Sequence, residues 1–77
     1  MAIGFVLVKA MPGYEHKLYD KLSKISEIGK LYPLFGEHDF LAIVEVDSYE
    51  KIDSIALKKI RSIEGVIRTK TLIGPKY

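Results

Sequence analysis

Residues 34–46 read LFGEHDFLAIVEV, two apolar runs that are separated by the polar residues 36–39. Apolar runs rich in aromatic and β-branched residues, joined by a short insert that contains glycine, are typical of a β-hairpin. The second run, Phe40–Val46, is largely apolar at both odd and even positions, whereas a strand with one solvated face alternates apolar and polar residues. We therefore expect Phe40–Val46 to form an inner strand that other parts of the protein cover on both faces.

The turn of this hairpin holds the densest group of chemically useful residues in the chain: Gly36, Glu37, His38 and Asp39. Asp39 offers a carboxylate, His38 offers an imidazole, and glycine at position 36 lets a small molecule reach backbone N–H groups that a side chain would block. We therefore predict a small-molecule site here. A turn that needs its glycine only for backbone geometry is the competing interpretation.

The remaining chain divides into strands and helices. The apolar run at residues 3–8 predicts a buried strand, and apolar residues recur at helical spacing within residues 14–26. Residues 28–35 predict a second strand, which Pro33 places at a sheet edge because proline has no backbone N–H to donate. Residues 66–73 predict a last strand with four side chains on one face: Ile67, Thr69, Thr71 and Ile73.

A second helix is predicted between the third and fourth strands. Asp47 and Glu50 have the spacing of a capping box, in which the two side chains bond to backbone N–H groups at the start of a helix. Isoleucine and alanine recur at helical spacing through residues 52–63, and Gly65 is typical of the residue that follows a helix. Both ends of the pattern therefore indicate a helix.

The predicted order of strand, helix, strand, strand, helix, strand is that of a ferredoxin-like α+β fold, in one domain over residues 1–77. Right-handed crossovers place the first and third strands at the centre of a four-stranded antiparallel sheet. Two helices cover only one face of such a sheet. The other face, drawn from Phe5, Leu7, Phe40, Ala42 and Val44 or their alternates, needs a cover, which we expect to be a second copy of the chain.

Composition excludes several classes of protein. The 77 residues include 12 Lys and Arg against 10 Asp and Glu, a net charge of +2 without the basic excess of a nucleic-acid-binding module. There is no cysteine for a disulfide or a metal site, and His16, Glu37, His38 and Asp39 have no recognised metal-ligand spacing. No run has the length of a membrane span and no signal peptide is apparent, so we expect a cytoplasmic protein without a metal or other cofactor. The absence of Asn and Gln, with Lys and Glu prominent, favours a thermophilic source.

The turn at residues 36–39, the inner strand after it and residues 60–71 resemble the effector-binding RAM domain of Lrp/AsnC transcriptional regulators. The resemblance rests on a Gly-x-x-Asp at the second hairpin, an Ile-x-Gly-Val step after a helix and a Thr-x-Thr strand, in that order, and it covers nearly the whole chain. It implies dimers that assemble into larger rings and bind an amino acid or related metabolite between dimers. Full-length regulators of the family are a further implied partner.

Matched position by position, the resemblance makes Gly36, Asp39, Thr69 and Thr71 ligand-binding residues. His38 departs from the aromatic residue that is common before the aspartate, which leaves the ligand open. Threonine also favours any β-strand because it is β-branched. The regulators begin with a helix-turn-helix domain, whereas Met1 here leads directly into the first strand, so the chain resembles a stand-alone RAM domain that takes part in transcription regulation without its own DNA-binding domain.

Two other classes compete with this interpretation. Ferredoxin-like chains of this length include small enzymes of the dimeric α+β barrel type. His38 and Asp39 are the nearest acid–base pair in the chain, but neighbours in a strand point to opposite faces, which is the wrong arrangement for a catalytic dyad. We therefore expect no enzymatic activity and no catalytic residues. A structural adaptor that binds a protein partner through its sheet is the third class, and it requires no small molecule.

Overall fold

In the computed structural model, which describes residues 2–74, a four-stranded antiparallel sheet packs against two helices. The elements are β1 Ala2–Ala10, α1 Glu15–Ser23, β2 Ile28–Pro33, β3 Phe40–Val46, α2 Tyr49–Ile55 with a π-helical continuation Ala56–Ile60, and β4 Val66–Ile73. The strands lie in the order β2-β3-β1-β4, so β1 and β3 are central and β2 and β4 are the edges. The expected ferredoxin-like α+β fold is confirmed.

Alternate residues of the central strands lie against the helices and are buried. Val6 and Val8 of β1 and Ala42 of β3 are fully buried. They share one core with Leu18 of α1 and Ile60 of the π-helical segment. Full burial of an aliphatic side chain is worth about 1.5–3 kcal/mol, so this layer is a main source of stability.

The other face of the sheet is not covered by any helix within residues 2–74. Cross-strand partners point to the same face, and their register assigns seven apolar residues to it: Ile3, Phe5, Leu7, Tyr32, Leu41, Ile43 and Leu72. We call this surface the open face. It also carries Lys9, Lys30, Glu45, Arg68 and Lys70.

The residues on the open face are only in part those that the sequence predicted for the uncovered face. Phe5 and Leu7 lie on it, and Phe5 is 37% exposed. Phe40, Ala42 and Val44 face the helices instead and are buried. The sequence could not assign the two faces, because both faces of β3 are largely apolar.

Helix α1 ends at Ser23, before the predicted end at residue 26. The N–H groups of Lys24 and Ile25 bond to the carbonyls of Lys21 and Leu22 at 3.3 and 3.1 Å, which closes a tight turn. This turn places Ile25 against the core. β2 likewise ends at Pro33 rather than at residue 35.

The second helix differs from its prediction at the N-terminal end. Its N-cap is Ser48, which makes no side-chain capping bond, so the capping box predicted from Asp47 and Glu50 is wrong. The Asp47 carboxylate instead lies 3.2 Å from the Lys51 ammonium. An ion pair one helical turn away has replaced the expected bond to the backbone.

Gly65 does not cap the helix directly, because the π-helical segment ends at Ile60. It lies in the turn before β4 with φ +100°, in the left-handed region that favours glycine. Its carbonyl accepts the Met11 N–H at 2.7 Å, and a Cβ at this position would lie 2.7 Å from the Tyr14 ring. Backbone conformation and close packing therefore both require glycine here.

Candidate functional site

The turn at residues 36–39 is fixed to the end of β1 through Asp39. The Asp39 N–H donates to the Val8 carbonyl at 2.8 Å, and the Asp39 carbonyl accepts the Leu34 N–H at 2.8 Å. The carboxylate Oδ2 accepts the Ala10 N–H at 2.7 Å. Three bonds thus hold this residue, and the turn has a defined position on the central strand.

The charge of Asp39 is partly balanced within the chain. The Lys9 ammonium lies 3.8 Å from Oδ2, and the Asp39 side chain is 24% exposed. Within residues 2–74 the other oxygen, Oδ1, has no hydrogen-bond partner. One carboxylate oxygen is therefore committed to the fold and the other is available to a ligand.

Gly36 has φ +121°, and no atom lies within 4 Å of the position that a Cβ would occupy. Its neighbour Phe35 is fully exposed, with 108% of its reference area, and Glu37 is exposed as well. His38 is half-buried, and its side chain makes no hydrogen bond to Asp39. The turn therefore presents an open backbone and an apolar side chain rather than an acid–base pair.

Thr69 and Thr71 lie on β4, across β1 from the turn. Their register partners are Val8 and Val6, so both hydroxyls belong to the face that the helices cover, and both residues are half-buried. Thr69 is level with the carbonyl of Val8 that receives the Asp39 N–H. Two strand spacings, about 10 Å, separate β3 from β4, so the structure brings these residues to one end of the sheet without direct contact.

Two cavities lie at the opposite end of β3. One has a volume of about 520 Å³ and is lined by Glu27, Glu45, Val46, Asp47, Lys51, Ser54 and Ile55. The other has about 310 Å³ and is lined by Ile3, Phe5, Gly29, Lys30, Ile43 and Glu45. Neither contains a residue of the predicted site. The one feature of the sequence that could have indicated these cavities is Glu45, a charged residue within the otherwise apolar strand Phe40–Val46.

An ion pair borders the larger cavity. The Lys59 ammonium donates to Glu27 Oε2 at 2.7 Å and lowers the pKa of the Glu27 carboxyl below its ordinary value. Glu27 also accepts the Glu45 N–H through its backbone carbonyl at 3.0 Å. The pair therefore joins the π-helical segment to the chain that leads into β2.

The described part of the chain shows neither a group of metal-binding side chains nor a helix that could span a membrane. Residues 2–74 contain no group of three or more His, Cys, Asp or Glu side chains that could hold a metal. None of their helices combines the length and the apolar character needed to cross a membrane.

The sequence matches the family model described as the Lrp/AsnC ligand binding domain over residues 3–74. It is 27% identical to an uncharacterised HTH-type transcriptional regulator of Pyrococcus abyssi over 71 residues, which cover 92% of this chain and 45% of that regulator. The chain spans about half the length of the curated relatives it matches.

Solved structures share the fold. A protein of Thermus thermophilus has a TM-score of 0.91 at 27% identity, with 100% of this chain and 96% of that chain covered. A transcriptional regulator of Neisseria meningitidis, crystallised as a complex with L-Met, has a TM-score of 0.83 at 18% identity, with 97% of this chain and 50% of that chain covered.

Proposed function

Because the chain belongs to the Lrp/AsnC ligand binding domain family, we propose that it binds an amino acid or a related metabolite as the effector-sensing part of transcription regulation. The observation that carries this proposal is the turn at residues 36–39, which is bonded to β1 while one Asp39 oxygen and the open backbone of Gly36 remain accessible. The complex of the Neisseria meningitidis regulator with L-Met supports an amino acid as the class of effector. We propose a cytoplasmic location together with this role.

The proposed contacts follow from the charges of an α-amino acid. Asp39 Oδ1 receives the ammonium group, and backbone N–H groups at Gly36 receive the carboxylate. Glu37 and His38 border the ligand, and the Thr69 and Thr71 hydroxyls contribute across β1. Because about 10 Å separates β3 from β4, this site spans the end of the sheet rather than a single pocket.

We propose binding rather than catalysis at this turn. A catalytic dyad would need His38 and Asp39 in hydrogen-bond contact, because the carboxylate orients the imidazole. The Asp39 carboxylate accepts the Ala10 N–H and approaches Lys9 instead. The residues thus suit the recognition of a charged ligand better than proton transfer.

A second copy of the chain is the proposed cover of the open face, and a ring of dimers is the proposed larger assembly. Leu72 is 45% exposed and Phe5 37% exposed on this face. A contiguous apolar surface of this kind is typical of a protein interface. Full-length regulators of the same family, which would supply a DNA-binding domain, are further proposed partners.

Thermal-shift measurements with each of the twenty amino acids test the proposal. A ligand that binds only the folded protein raises its stability by about RT ln(1 + [L]/Kd), or about 2.7 kcal/mol at a concentration 100-fold above Kd. We expect one or a few amino acids to raise the melting temperature in a saturable manner. No response to any amino acid, together with turnover of a substrate, would support an enzyme instead.

A further inference from the structure

The larger of the two cavities lies between α2 and the end of β3, remote from the turn at residues 36–39. Val46 and Ile55, which pack against the core, supply its apolar walls, and Lys51 and Ser54 of α2 border it. Its volume of about 520 Å³ falls within the roughly 300–1,000 Å³ typical of small-molecule pockets. The cavity is therefore large enough for a small organic molecule and is separate from the site proposed above.

Two of the three carboxylates that border this cavity are already paired with a cation. The Asp47 carboxylate lies 3.2 Å from the Lys51 ammonium. The Glu27 carboxylate accepts a hydrogen bond from the Lys59 ammonium at 2.7 Å. A positive charge on a ligand must therefore be matched by the third carboxylate.

Glu45 supplies this third carboxylate. Within residues 2–74 it takes part in no ion pair, and its side chain accepts no hydrogen bond. A Cβ on Gly29 would lie 2.5 Å from Glu45 Oε2, so the missing side chain of this glycine leaves room for the carboxylate beside β2. The unpaired charge thus lies at the edge of the sheet, where it borders the cavity.

Ser54 adds a second polar group to the cavity. The residue is half-buried, and its hydroxyl makes no hydrogen bond within residues 2–74. A hydroxyl can accept a hydrogen bond from an ammonium group. Ser54 and Glu45 therefore offer two acceptors in a cavity whose walls are apolar.

We infer that this cavity binds an organic amine that has an apolar body and no carboxylate. The ammonium group donates to the Glu45 carboxylate and the Ser54 hydroxyl, and the apolar body lies against Val46 and Ile55. A carboxylate on the ligand would be repelled by the three carboxylates that border the cavity. The cavity therefore selects amines against amino acids, and it does not depend on the effector site proposed at the turn.

Titration calorimetry of the whole chain with three probes of the same branched skeleton tests the inference. 3-Methylbutylamine carries only an ammonium group, 3-methylbutan-1-ol carries no charge, and L-leucine is the same amine with an α-carboxylate. We expect the amine to bind in a saturable manner and about tenfold or more tighter than the alcohol, because its bond to Glu45 is charge-assisted. L-leucine should not displace the amine. Absence of amine binding, equal binding of the amine and the alcohol, or displacement by L-leucine overturns the inference.

Substitutions locate the binding of 3-methylbutylamine. Glu45→Gln should weaken it by about tenfold or more, and Glu64→Gln, in an exposed turn outside the cavity, should leave it unchanged. Ser54→Lys places an ammonium group in the cavity and should abolish binding. Leu57→Lys adds the same charge on the π-helical segment outside the cavity and should leave binding unchanged. Unchanged binding by either cavity variant, or an equal loss in its control, overturns the inference; if Ser54→Lys does not fold, Glu45→Gln and its control decide.

Two further measurements separate this cavity from the other proposed features. In the Asp39→Asn background the binding of 3-methylbutylamine should persist, and its loss there would assign the amine to the turn and overturn the inference. Light scattering with and without the amine should show the same mass. Dissociation of the assembly by the amine would mean that a second copy occupies the cavity, which also overturns the inference.

Discussion

The two carboxylate oxygens of Asp39 have different surroundings, and this difference determines how the residue can be tested. Oδ2 accepts the Ala10 N–H at 2.7 Å and lies 3.8 Å from the Lys9 ammonium. Oδ1 has no hydrogen-bond partner within residues 2–74. Removal of the side chain therefore weakens the bond between the turn and β1 as well as the binding of any ligand. The two effects must be measured separately.

Asp39→Ala should lower the free energy of unfolding by about 1–3 kcal/mol, because the Ala10 N–H loses its acceptor. Asp39→Asn should lower the free energy of unfolding by less, since the amide oxygen can still accept the hydrogen bond from the Ala10 N–H. Urea denaturation measures both effects, with the exposed Asp53→Asn as the control. Equal stability of Asp39→Ala and the parent would contradict the structural role.

The same pair of variants tests the proposed effector site. Both remove the negative charge, so both should weaken the binding of an amino acid found by thermal shift by about tenfold to a hundredfold. Titration calorimetry below the unfolding temperature measures this without interference from stability. If Asp39→Asn binds that amino acid as tightly as the parent, the effector site lies elsewhere.

Gly65 and Gly13 form a matched pair for a test of close packing. Both have positive φ, +100° and +91°, but a Cβ on Gly65 would meet the Tyr14 ring at 2.7 Å, whereas no atom lies within 4 Å of a Cβ on Gly13. Gly13→Ala should cost about 1–2 kcal/mol from backbone conformation alone. Gly65→Ala should cost more, because Tyr14 must also move, and urea denaturation of both variants compares the two costs. Equal losses would mean that the Tyr14 ring moves aside freely.

At the scale of elements, the Glu27–Lys59 pair couples the second helix to the start of β2. The Lys59 ammonium lowers the pKa of Glu27 below its ordinary value of 4.5. A carboxyl with a lowered pKa in the folded state adds stability above its unfolded pKa, and that stability is lost as the pH falls through the folded value. The effect is small because the pair is exposed to solvent.

Thermal unfolding of the parent and Glu27→Gln between pH 7 and about pH 3 tests this coupling. The parent should be slightly more stable at pH 7, and the difference should vanish as the pH falls below about 4.5. Glu64→Gln serves as the matched control and should show no such pH-dependent difference, because Glu64 is exposed in a turn and takes part in no ion pair within residues 2–74. A difference that is constant across this range would show that the ion pair does not stabilise the fold.

Hydrophobic periodicity predicted each strand and helix, because these depend on patterns within short segments, and the preference for right-handed crossovers then gave the sheet order. Prediction failed where two local patterns competed. Asp47 and Glu50 match a capping box, but Asp47 pairs with Lys51 and the N-cap is Ser48. The bond from Ala10 to Asp39 joins residues that are 29 apart in the sequence, so no local pattern contains it. Ligand contacts at residues 36–39, Thr69 and Thr71 stay a prediction.

At the scale of the whole molecule, the two faces of the sheet are unequal. Among residues 2–74, twelve hydrophobic residues are buried in the core, whereas Ile3, Phe5 and Leu72 remain 37–45% exposed on the open face. A chain of this size buries only about 60–65% of the surface of its unfolded state. Association through the open face would therefore add to the apolar burial of this small domain.

We predict that the protein is a dimer or a larger assembly rather than an 8.7 kDa monomer. Obligate homodimers commonly bury about 2,000 Å² or more, and the open face offers an apolar surface that no helix within residues 2–74 covers. Multi-angle light scattering at micromolar concentration measures the mass, and a value near that of one chain would refute the prediction.

Leu72→Glu and Leu57→Glu locate the interface. Both leucines are exposed, by 45% and 59%, but Leu72 lies on the open face and Leu57 on the π-helical segment behind the sheet. A carboxylate at position 72 would be buried without a partner in a face-to-face dimer, a cost of several kcal/mol that should shift the assembly to monomers. Leu57→Glu should keep the parent mass. If both variants keep that mass, or if Leu57→Glu alone dissociates the assembly, the copies meet through a surface other than the open face.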